Sequence, residues 1–415
     1  MDCNLEYLFQ TLDSVLHDKP VPQPPADIDW ERYFTAASAG EVIFLLYNKL
    51  DELQGQERPP QDRMQWLKYY SMQSGMKRLQ CYDLLAKLLN AAEKRGIRVL
   101  VFKGPVLANL YPQPMMRNSC DMDIYVDPKD LPELERLMVE LGYVKNQEHS
   151  KDCVPVYMYE KILLVEAHCR LYEDYEGKRI DMLESMDLTR QDHQVSMEVC
   201  GLPVTTLGYE EHLIFLMFHL IKHISYNGCS LKTIIDIVLY VNAYLEQIDL
   251  KSFWSRMKQL GYDTFCRTLF SIGCYYFGMR QDIFIDDSYS ENIAVGTMEH
   301  LYATGILKYT LVKQEEDRRA ASIAFQSLQG KEDKKVGTFR MWVKTFFPSS
   351  KDLSFRYMYA RKHPSLVWVA WIHRAFNNLT IRFLSKEHTQ DMVGDMRLAK
   401  QKLALLKELD LMHKD

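Results

Sequence analysis

Apolar residues follow helical spacing at both ends of the chain and strand spacing in the stretch between them. Through the first 94 residues they recur every three or four positions, which is typical of amphipathic helices. Between Ile97 and Thr206 apolar and polar residues tend to alternate, which is typical of strands. From Tyr209 the helical spacing returns and continues to a charged amphipathic tail at 388–414. Helical segments are predicted at 5–16, 34–53, 62–94, 106–110, 129–141, 210–225, 231–245, 250–260 and 262–276.

These changes of pattern divide the chain into three predicted regions. Residues 1–95 form an N-terminal helical region, whose last helix is closed by Arg95-Gly96 in the manner of a C-cap. Residues 96–207 form an α/β core, and residues 208–415 form a helical domain with a helical tail. A chain of 415 residues is long enough for two or three domains with a sizeable core.

Composition restricts the partners and the location of the protein. The formal net charge is −5, from 51 basic and 56 acidic residues, so no bulk positive field attracts long nucleic acid. The nine cysteines include no C-x-x-C pair and are expected to be reduced thiols. The first residues lack a signal-peptide pattern, and the apolar runs are too short to span a bilayer. We therefore expect a cytoplasmic protein without a membrane span.

Two carboxylates enter an apolar run at Asp121–Val126. Because strand side chains alternate between faces, Asp121 and Asp123 share one face and the apolar residues among them share the other. Two negative charges at this spacing favour a bound cation, and the hard ions Mg²⁺ and Mn²⁺ prefer oxygen ligands. Solvated turns and helix caps are the ordinary setting of Asp-x-Asp. The apolar context favours a metal site instead.

A tight turn precedes this strand. A run of strand-forming residues at 97–102 leads into Lys103-Gly104-Pro105, and a helical pattern follows. Gly104 lets backbone approach a ligand closely, and Pro105 suits the first position of a helix. A helix N-terminus beside a lysine is a ready phosphate site. Phosphate next to a carboxylate-bound metal is the arrangement that phosphoryl transfer requires.

A third carboxylate is available at Glu166, in a second strand-like run at 162–171. Glu166, His168 and Arg170 share one face of that strand, and the residues between them are apolar. Such a strand could lie beside the Asp121/Asp123 strand and complete the metal site. A half-solvated antiparallel strand with an ordinary polar face has the same pattern, so the spacing leaves both interpretations open.

The C-terminal half offers further polar residues in apolar surroundings. His219 and His223 are four residues apart and project from one helical face. The metalloprotease form of this motif has Glu directly after the first histidine, where this chain has leucine, so hydrolytic zinc chemistry is disfavoured. Asp236 lies in an apolar run, where a buried carboxylate needs a partner. We expect that partner to be one of these histidines, Lys222 or Lys232.

The Lys-Gly turn, the Asp-x-Asp strand and the acid before a histidine together resemble the polymerase-β-type nucleotidyltransferase superfamily. The resemblance is carried by Lys103-Gly104, Tyr111, Arg117, Asp121-Met122-Asp123 and Glu166 with His168. Within the superfamily the chain is most similar to the bacterial family usually labelled uncharacterised nucleotidyltransferase. Weaker similarity extends over 218–236 and 346–359. The resemblance implies an α+β fold, in which a small mixed β-sheet core is flanked by N-terminal and C-terminal helical regions.

The resemblance also implies an activity, the metal-dependent transfer of a nucleoside monophosphate from a nucleoside triphosphate such as ATP to an acceptor. The catalytic and Mg²⁺ (or Mn²⁺) ligands would be Asp121, Asp123 and Glu166, and the nucleotide would be bound by Lys103, Gly104 and Arg117. Supporting or acceptor contacts would come from His168, Arg170, His219, His223 and Asp236. The expected partners are the triphosphate and a small-molecule or protein acceptor.

Two other functions remain open at this point. Asp-x-Asp glycosyltransferases hold Mn²⁺ against a nucleotide sugar, but there the pair usually lies in a loop at the end of a strand. A non-catalytic member of the family would use the fold for binding, although all three carboxylates are present here. Pro105 stands where the wider superfamily has glycine or serine, and it offers neither hydroxyl nor backbone N–H to a phosphate. The donor is therefore not fixed by the sequence.

Overall fold

The computed structural model describes residues 2–119, 121–147, 150, 153–172, 179–226, 228–304, 307, 359–360, 363–373 and 401–411. Their backbone groups into two units. One holds the described residues up to Ile224 and from Gly228 to Leu307, and the other holds 225–226 and those from 359 to 411. In the smaller unit, the buried residues Ala360 and Ala370 pack against Tyr359 and Val367. The predicted segment at 346–359, apart from Tyr359, and most of the tail at 388–414 lie outside the described residues.

Most of the predicted helices are present, but the one at 34–53 is divided into two, and helices at Arg179–Ser185 and Glu291–Ala303 were not predicted. The helices are α1 (Cys3–Leu16), α2 (Trp30–Ala39), α3 (Tyr47–Asp51), α4 (Gln61–Lys94), α5 (Gly104–Ala108), α6 (Leu131–Glu140), α7 (Arg179–Ser185), α8 (Tyr209–Tyr226), α9 (Leu231–Tyr244), α10 (Leu250–Leu260), α11 (Asp263–Phe277) and α12 (Glu291–Ala303). The strands are β1 (Val99–Phe102), β2 (Asp121–Val126), β3 (Val144–Lys145), β4 (Val156–Tyr159), β5 (Leu163–His168), β6 (Val195–Val199) and β7 (Leu202–Thr206). The predicted α+β class is confirmed, whereas the domain boundaries at 95/96 and 207/208 stay a prediction. None of the helices described here is long and apolar enough to cross a membrane.

Five of these strands form one mixed sheet in the order β1-β2-β5-β4-β3. β2 runs parallel to β5, and the other neighbouring pairs are antiparallel. The register places Asp123 beside Glu166 on one side and beside Phe102 on the other. The Asp121/Asp123 strand and the Glu166 strand are therefore neighbours, which is one of the two arrangements that the sequence leaves open. A separate two-stranded sheet pairs β6 with β7.

The apolar face of the mixed sheet forms one hydrophobic core cluster of the larger unit. Met122, Ile124 and Val126 of β2 are buried there with Val165 and Ala167 of β5. The long helix α4 covers this face with buried apolar residues spaced three to four positions apart, among them Leu85 and Leu88. Because successive strand residues point to opposite faces, burying these side chains forces the acidic side chains onto the other face.

Candidate active site

Asp123 lies at the centre of a buried charged cluster. Its side chain exposes only 2% of its surface. Its Oδ1 accepts hydrogen bonds from Lys103 Nζ at 2.7 Å and from His168 Nε2 at 3.0 Å. Burial alone would raise the pKa of Asp123, but the Lys103 ammonium and the His168 imidazole hold that pKa well below its usual range. Asp123 is therefore an ionised carboxylate whose own side chain is almost completely shielded from water.

Glu166 lies directly beside Asp123 across the parallel strand pair. Its side chain exposes 32% of its surface, and its Oε2 is 3.8 Å from His168 Nε2. Burial, and next the charge of Asp123, raise the pKa of Glu166. One oxygen of each carboxylate and a ring nitrogen of His168 all lie within 4.8 Å of one another. This cluster is the one group of three or more potential metal ligands within the described part of the chain.

Asp121 lies on the same face of β2, two residues before Asp123. It is partly exposed, and its Oδ1 accepts a hydrogen bond from Ser119 Oγ at 3.1 Å. The Ser119 carbonyl in turn accepts one from Arg78 of α4. The three-ligand group thus contains His168 where the sequence predicts Asp121, and Asp121 lies at the more open edge of the same face.

Lys103 is held in a strained turn between β1 and α5. Its φ is +53° and its ψ is −115°, a backbone conformation that residues other than glycine rarely adopt. Its backbone N–H donates to His212 Nε2 at 3.2 Å, across 109 residues of sequence. The turn directs the ammonium onto Asp123. The predicted contact of Lys103 with a phosphate stays a prediction. The helix that follows spans only five residues.

A second buried ion pair joins the same turn to the C-terminal helices. Arg117 Nε and Nη2 donate to Asp236 Oδ1 and Oδ2 at 2.8 and 2.7 Å, and the Tyr111 hydroxyl donates to Oδ1 at 2.7 Å. Arg117 Nη1 also donates to the Gly104 carbonyl at 3.3 Å. The two charged side chains expose only 5% and 6% of their surface. The Arg117 fork is therefore occupied by Asp236 and by the backbone of the turn.

The predicted partners of Asp236 are wrong. The expected histidines and lysines do not contact it in the described structure, and Lys232 instead pairs with Glu41. The true partners, Arg117 and Tyr111, come from the loop between α5 and β2, far from Asp236 in sequence. The prediction that Asp236 must be paired because it is buried is confirmed.

Helix α8 covers the polar face of the sheet next to Lys103. The Phe215 ring packs edge-on against Phe102, with ring centroids 5.0 Å apart, and Lys103 Nζ lies 5.8 Å from its centroid. One helical turn further along, His219 stacks on Phe215 with centroids 6.1 Å apart. His219 Nε2 and His223 Nε2 are 3.0 Å apart, so the two histidines hydrogen-bond to each other.

Two residues complete the description of this face. Arg170, just beyond the end of β5, pairs with Glu184 of α7. His212 was missed by sequence reasoning, because nothing in the polar start of α8 distinguishes it from a solvated residue. It is fully buried, and burial, followed by the Lys103 charge, lowers its pKa to about 3. His212 is therefore neutral, as a hydrogen-bond acceptor for the Lys103 backbone must be.

Gly104→Ala is expected to lower the free energy of unfolding by about 1–2 kcal/mol, because a methyl group would press against the backbone of β2. A Cβ at this position would lie 3.2 Å from the Asp121 carbonyl oxygen and 3.5 Å from Ser119 Oγ. Since the first contact is with backbone, the turn or the start of β2 must shift. Urea unfolding measures the change. Gly296→Ala is the matched control, because its Cβ would meet nothing within 4 Å in α12, and equal destabilisation in both variants would contradict the prediction.

Several solved structures are similar to part of the chain. A solution structure of the antibiotic-resistance factor ANT(2'')-Ia is 16% identical, covers 43% of this chain and 93% of its own, and gives a TM-score of 0.32. A nucleotidyltransferase-like protein from Paracoccidioides brasiliensis is 14% identical, with coverages of 42% and 85% and a TM-score of 0.27. The Thermotoga maritima CCA-adding enzyme complexed with tRNA is 11% identical, with coverages of 79% and 81% and a TM-score of 0.22. Similarities this weak assign neither substrate nor mechanism.

The family is established by sequence. No curated protein matches the chain significantly. A family model described as uncharacterised nucleotidyltransferase matches residues 26–276, which is more than half of the chain and includes all the residues of the site. The match confirms the resemblance predicted from the Lys-Gly turn and the Asp-x-Asp strand. The chain belongs to the uncharacterised nucleotidyltransferase family.

Proposed function

We propose that the protein transfers a nucleoside monophosphate from a nucleoside triphosphate to an acceptor, on the acidic face of β2 and β5. The observation that carries the proposal is the side-by-side register of Asp123 and Glu166 in parallel strands, in a chain of a nucleotidyltransferase family. The Asp-x-Asp pair lies inside β2 and not in a loop. That position supports nucleotidyl transfer over the glycosyltransferase alternative.

The residues of this face fit a divalent cation. Three carboxylates share the face. Burial, and next the charge of Asp123, raise the pKa of Glu166, so a positive ion near both carboxylates would be stabilised. Carboxylate oxygens suit Mg²⁺ and Mn²⁺. We propose that Asp121, Asp123 and Glu166 hold the ion and that His168 orients Asp123 through its hydrogen bond. When bound, the ion would neutralise negative charge on the donor phosphates.

Glu166 is the carboxylate proposed to receive the proton of the acceptor. About a third of its side chain is exposed, whereas Asp123 is almost fully buried, so an acceptor can approach Glu166. The nucleophilic atom of the acceptor forms a bond to the α-phosphorus of the donor. The bond from that phosphorus to the bridging oxygen breaks, pyrophosphate leaves, and the proton of the nucleophile passes to Glu166.

Lys103 and Arg117 are proposed to bind the nucleotide in different ways. Lys103 Nζ, next to Asp123, can reach a donor phosphate at the same edge of the site. Arg117 acts through the turn, because its fork is already engaged by Asp236 and by the Gly104 carbonyl. We therefore propose that Arg117 and Asp236 position Lys103 and Gly104 for the donor.

Incubation with each labelled nucleoside triphosphate tests the proposed function. The full chain is supplied with Mg²⁺ or Mn²⁺ and a small-molecule extract as a source of acceptors. Release of pyrophosphate, or transfer of α-phosphate label to the protein or to an extract component, is expected for at least one nucleotide and is expected to stop when EDTA removes the metal. Parallel incubations replace the triphosphates with nucleotide sugars, and turnover of these sugars alone would support the glycosyltransferase alternative. Silence with every donor and metal would contradict catalysis.

A further inference from the structure

Helix α8 carries a polar stripe that the proposed chemistry does not use. Its buried apolar residues, such as Met217, Leu220 and Ile224, occupy most of the helix circumference. The remaining sector, spaced three to four residues apart, begins with the buried His212 and Phe215 and continues with the partly exposed His219, Lys222 and His223. This sector faces the Lys103 turn, because His212 bonds to its backbone and Phe215 lies beneath its ammonium.

The stripe is basic where it extends beyond Phe215. After burial, the influences that lower the pKa of His219 are the charges of Lys103, His223, Lys222 and His168, all of them basic groups. His219, Lys222 and His223 are partly exposed, so a ligand can reach them. Basic side chains grouped in this way provide N–H donors and positive potential that suit an anion.

The contact between the two histidines distinguishes an anion from a metal ion. The two Nε2 atoms are 3.0 Å apart, so only one proton can lie between them and the two rings share a single hydrogen bond. With a phosphate oxygen between the rings, each ring could donate its own N–H to that oxygen. A metal at His219 and His223 would need further ligands. The described residues place no third histidine, cysteine or carboxylate within ligand distance of them, since their one such group is centred on Asp123.

We propose that His219, Lys222 and His223 form, together with Lys103, a subsite for the phosphate groups of a substrate. The inference rests on the proposed function and deepens it, because it supplies the phosphate contacts that Pro105 cannot make. Lys103 lies at the junction, with Asp123 on one side and the ring of Phe215 on the other. The phosphate belongs either to the polyphosphate tail of the donor or to a phosphorylated acceptor.

Binding of inorganic tripolyphosphate in the presence of Mg²⁺ tests the subsite, because this probe carries neither base nor acceptor. Calorimetry of the full chain is expected to show binding that Lys222→Gln and His223→Gln each weaken about tenfold, the loss typical of a charged hydrogen bond. Lys222→Arg keeps the charge and should retain most of the affinity. Lys251→Gln, which removes an exposed lysine from α10, is the matched control and should change nothing.

Competition then assigns the phosphate to its source. Displacement of tripolyphosphate by a nucleoside triphosphate, but not by the monophosphate, assigns the subsite to the donor, and displacement by sugar phosphates alone assigns it to an acceptor. Absence of tripolyphosphate binding, or equal affinity in Lys222→Gln, His223→Gln and Lys251→Gln, would overturn the proposal. The readout needs no catalysis. A protein that releases pyrophosphate but does not bind tripolyphosphate would disprove only the subsite. A protein that binds tripolyphosphate at these residues but transfers no nucleotide would disprove only the transferase activity.

Discussion

Asp123→Asn is expected to lower nucleotidyl transfer on the order of 10³-fold, the largest effect on activity that the site predicts. Asparagine keeps the shape of the side chain but removes the charge that faces Lys103 and His168. It also removes the carboxylate proposed to hold the metal beside Glu166. Initial rates of pyrophosphate release, measured with the nucleotide that the wild type uses, give the effect.

The control for this variant must separate lost chemistry from lost folding. Asp123→Asn leaves the mostly buried Lys103 ammonium without its counter-charge, so its thermal stability is measured alongside the rate. Asp83→Asn removes an exposed carboxylate from α4 and should leave the rate unchanged. Retention of more than a tenth of the wild-type rate in a folded Asp123→Asn protein would exclude Asp123 as a catalytic residue.

Arg117→Met is expected to cost about 3–5 kcal/mol of unfolding free energy, the largest effect on stability predicted here. Methionine leaves the Asp236 carboxylate buried with the Tyr111 hydroxyl as its only remaining partner among the contacts described. It also releases the Gly104 carbonyl. The double variant Arg117→Met/Asp236→Leu removes both charges and should recover much of the loss, because an apolar pair needs no desolvated counter-ion. Urea unfolding of Arg117→Met, Asp236→Leu and the double variant completes the cycle.

An exposed ion pair provides the comparison. Arg58 and Asp51 form a contact in which both side chains remain more than 40% exposed. Arg58→Met should barely move the unfolding midpoint, because water screens such pairs. If Arg117→Met shifted the midpoint no more than Arg58→Met does, the buried pair would not stabilise the fold. A double variant no more stable than Arg117→Met would show that packing, and not charge, sets the cost.

The part of the site that the sequence predicts is the part governed by local periodicity. Strand alternation is enough to place Asp121 with Asp123, and Glu166 with His168, because each pair lies within one element. The adjacency of the two strands could be anticipated as a possibility, since each has one apolar face that must be buried. The roles assigned to these residues stay predictions that the proposed experiments test.

The contacts that fix the turn could not be predicted, because they join distant positions. Arg117 and Asp236 are 119 residues apart, and the Lys103 backbone meets His212 across 109 residues. A single sequence indicates that a buried Asp236 needs a partner, but it does not identify which distant residue that partner is. The positive φ of Lys103 could not be predicted from the sequence either. A positive φ is normally adopted by glycine, so the sequence would assign it to the neighbouring Gly104.

The contacts between the turn and the later helices also determine when the site can be completed during protein synthesis. A nascent chain that ends near residue 207 contains both acidic strands, but neither His212 nor Asp236. The turn that carries Lys103 would then lack His212, the acceptor for its backbone N–H. Arg117, which donates to the Gly104 carbonyl of the turn, would lack its partner Asp236. The acidic strands therefore reach the ribosome exit before the parts that shape the turn, and a fragment truncated at that point would be an incomplete enzyme.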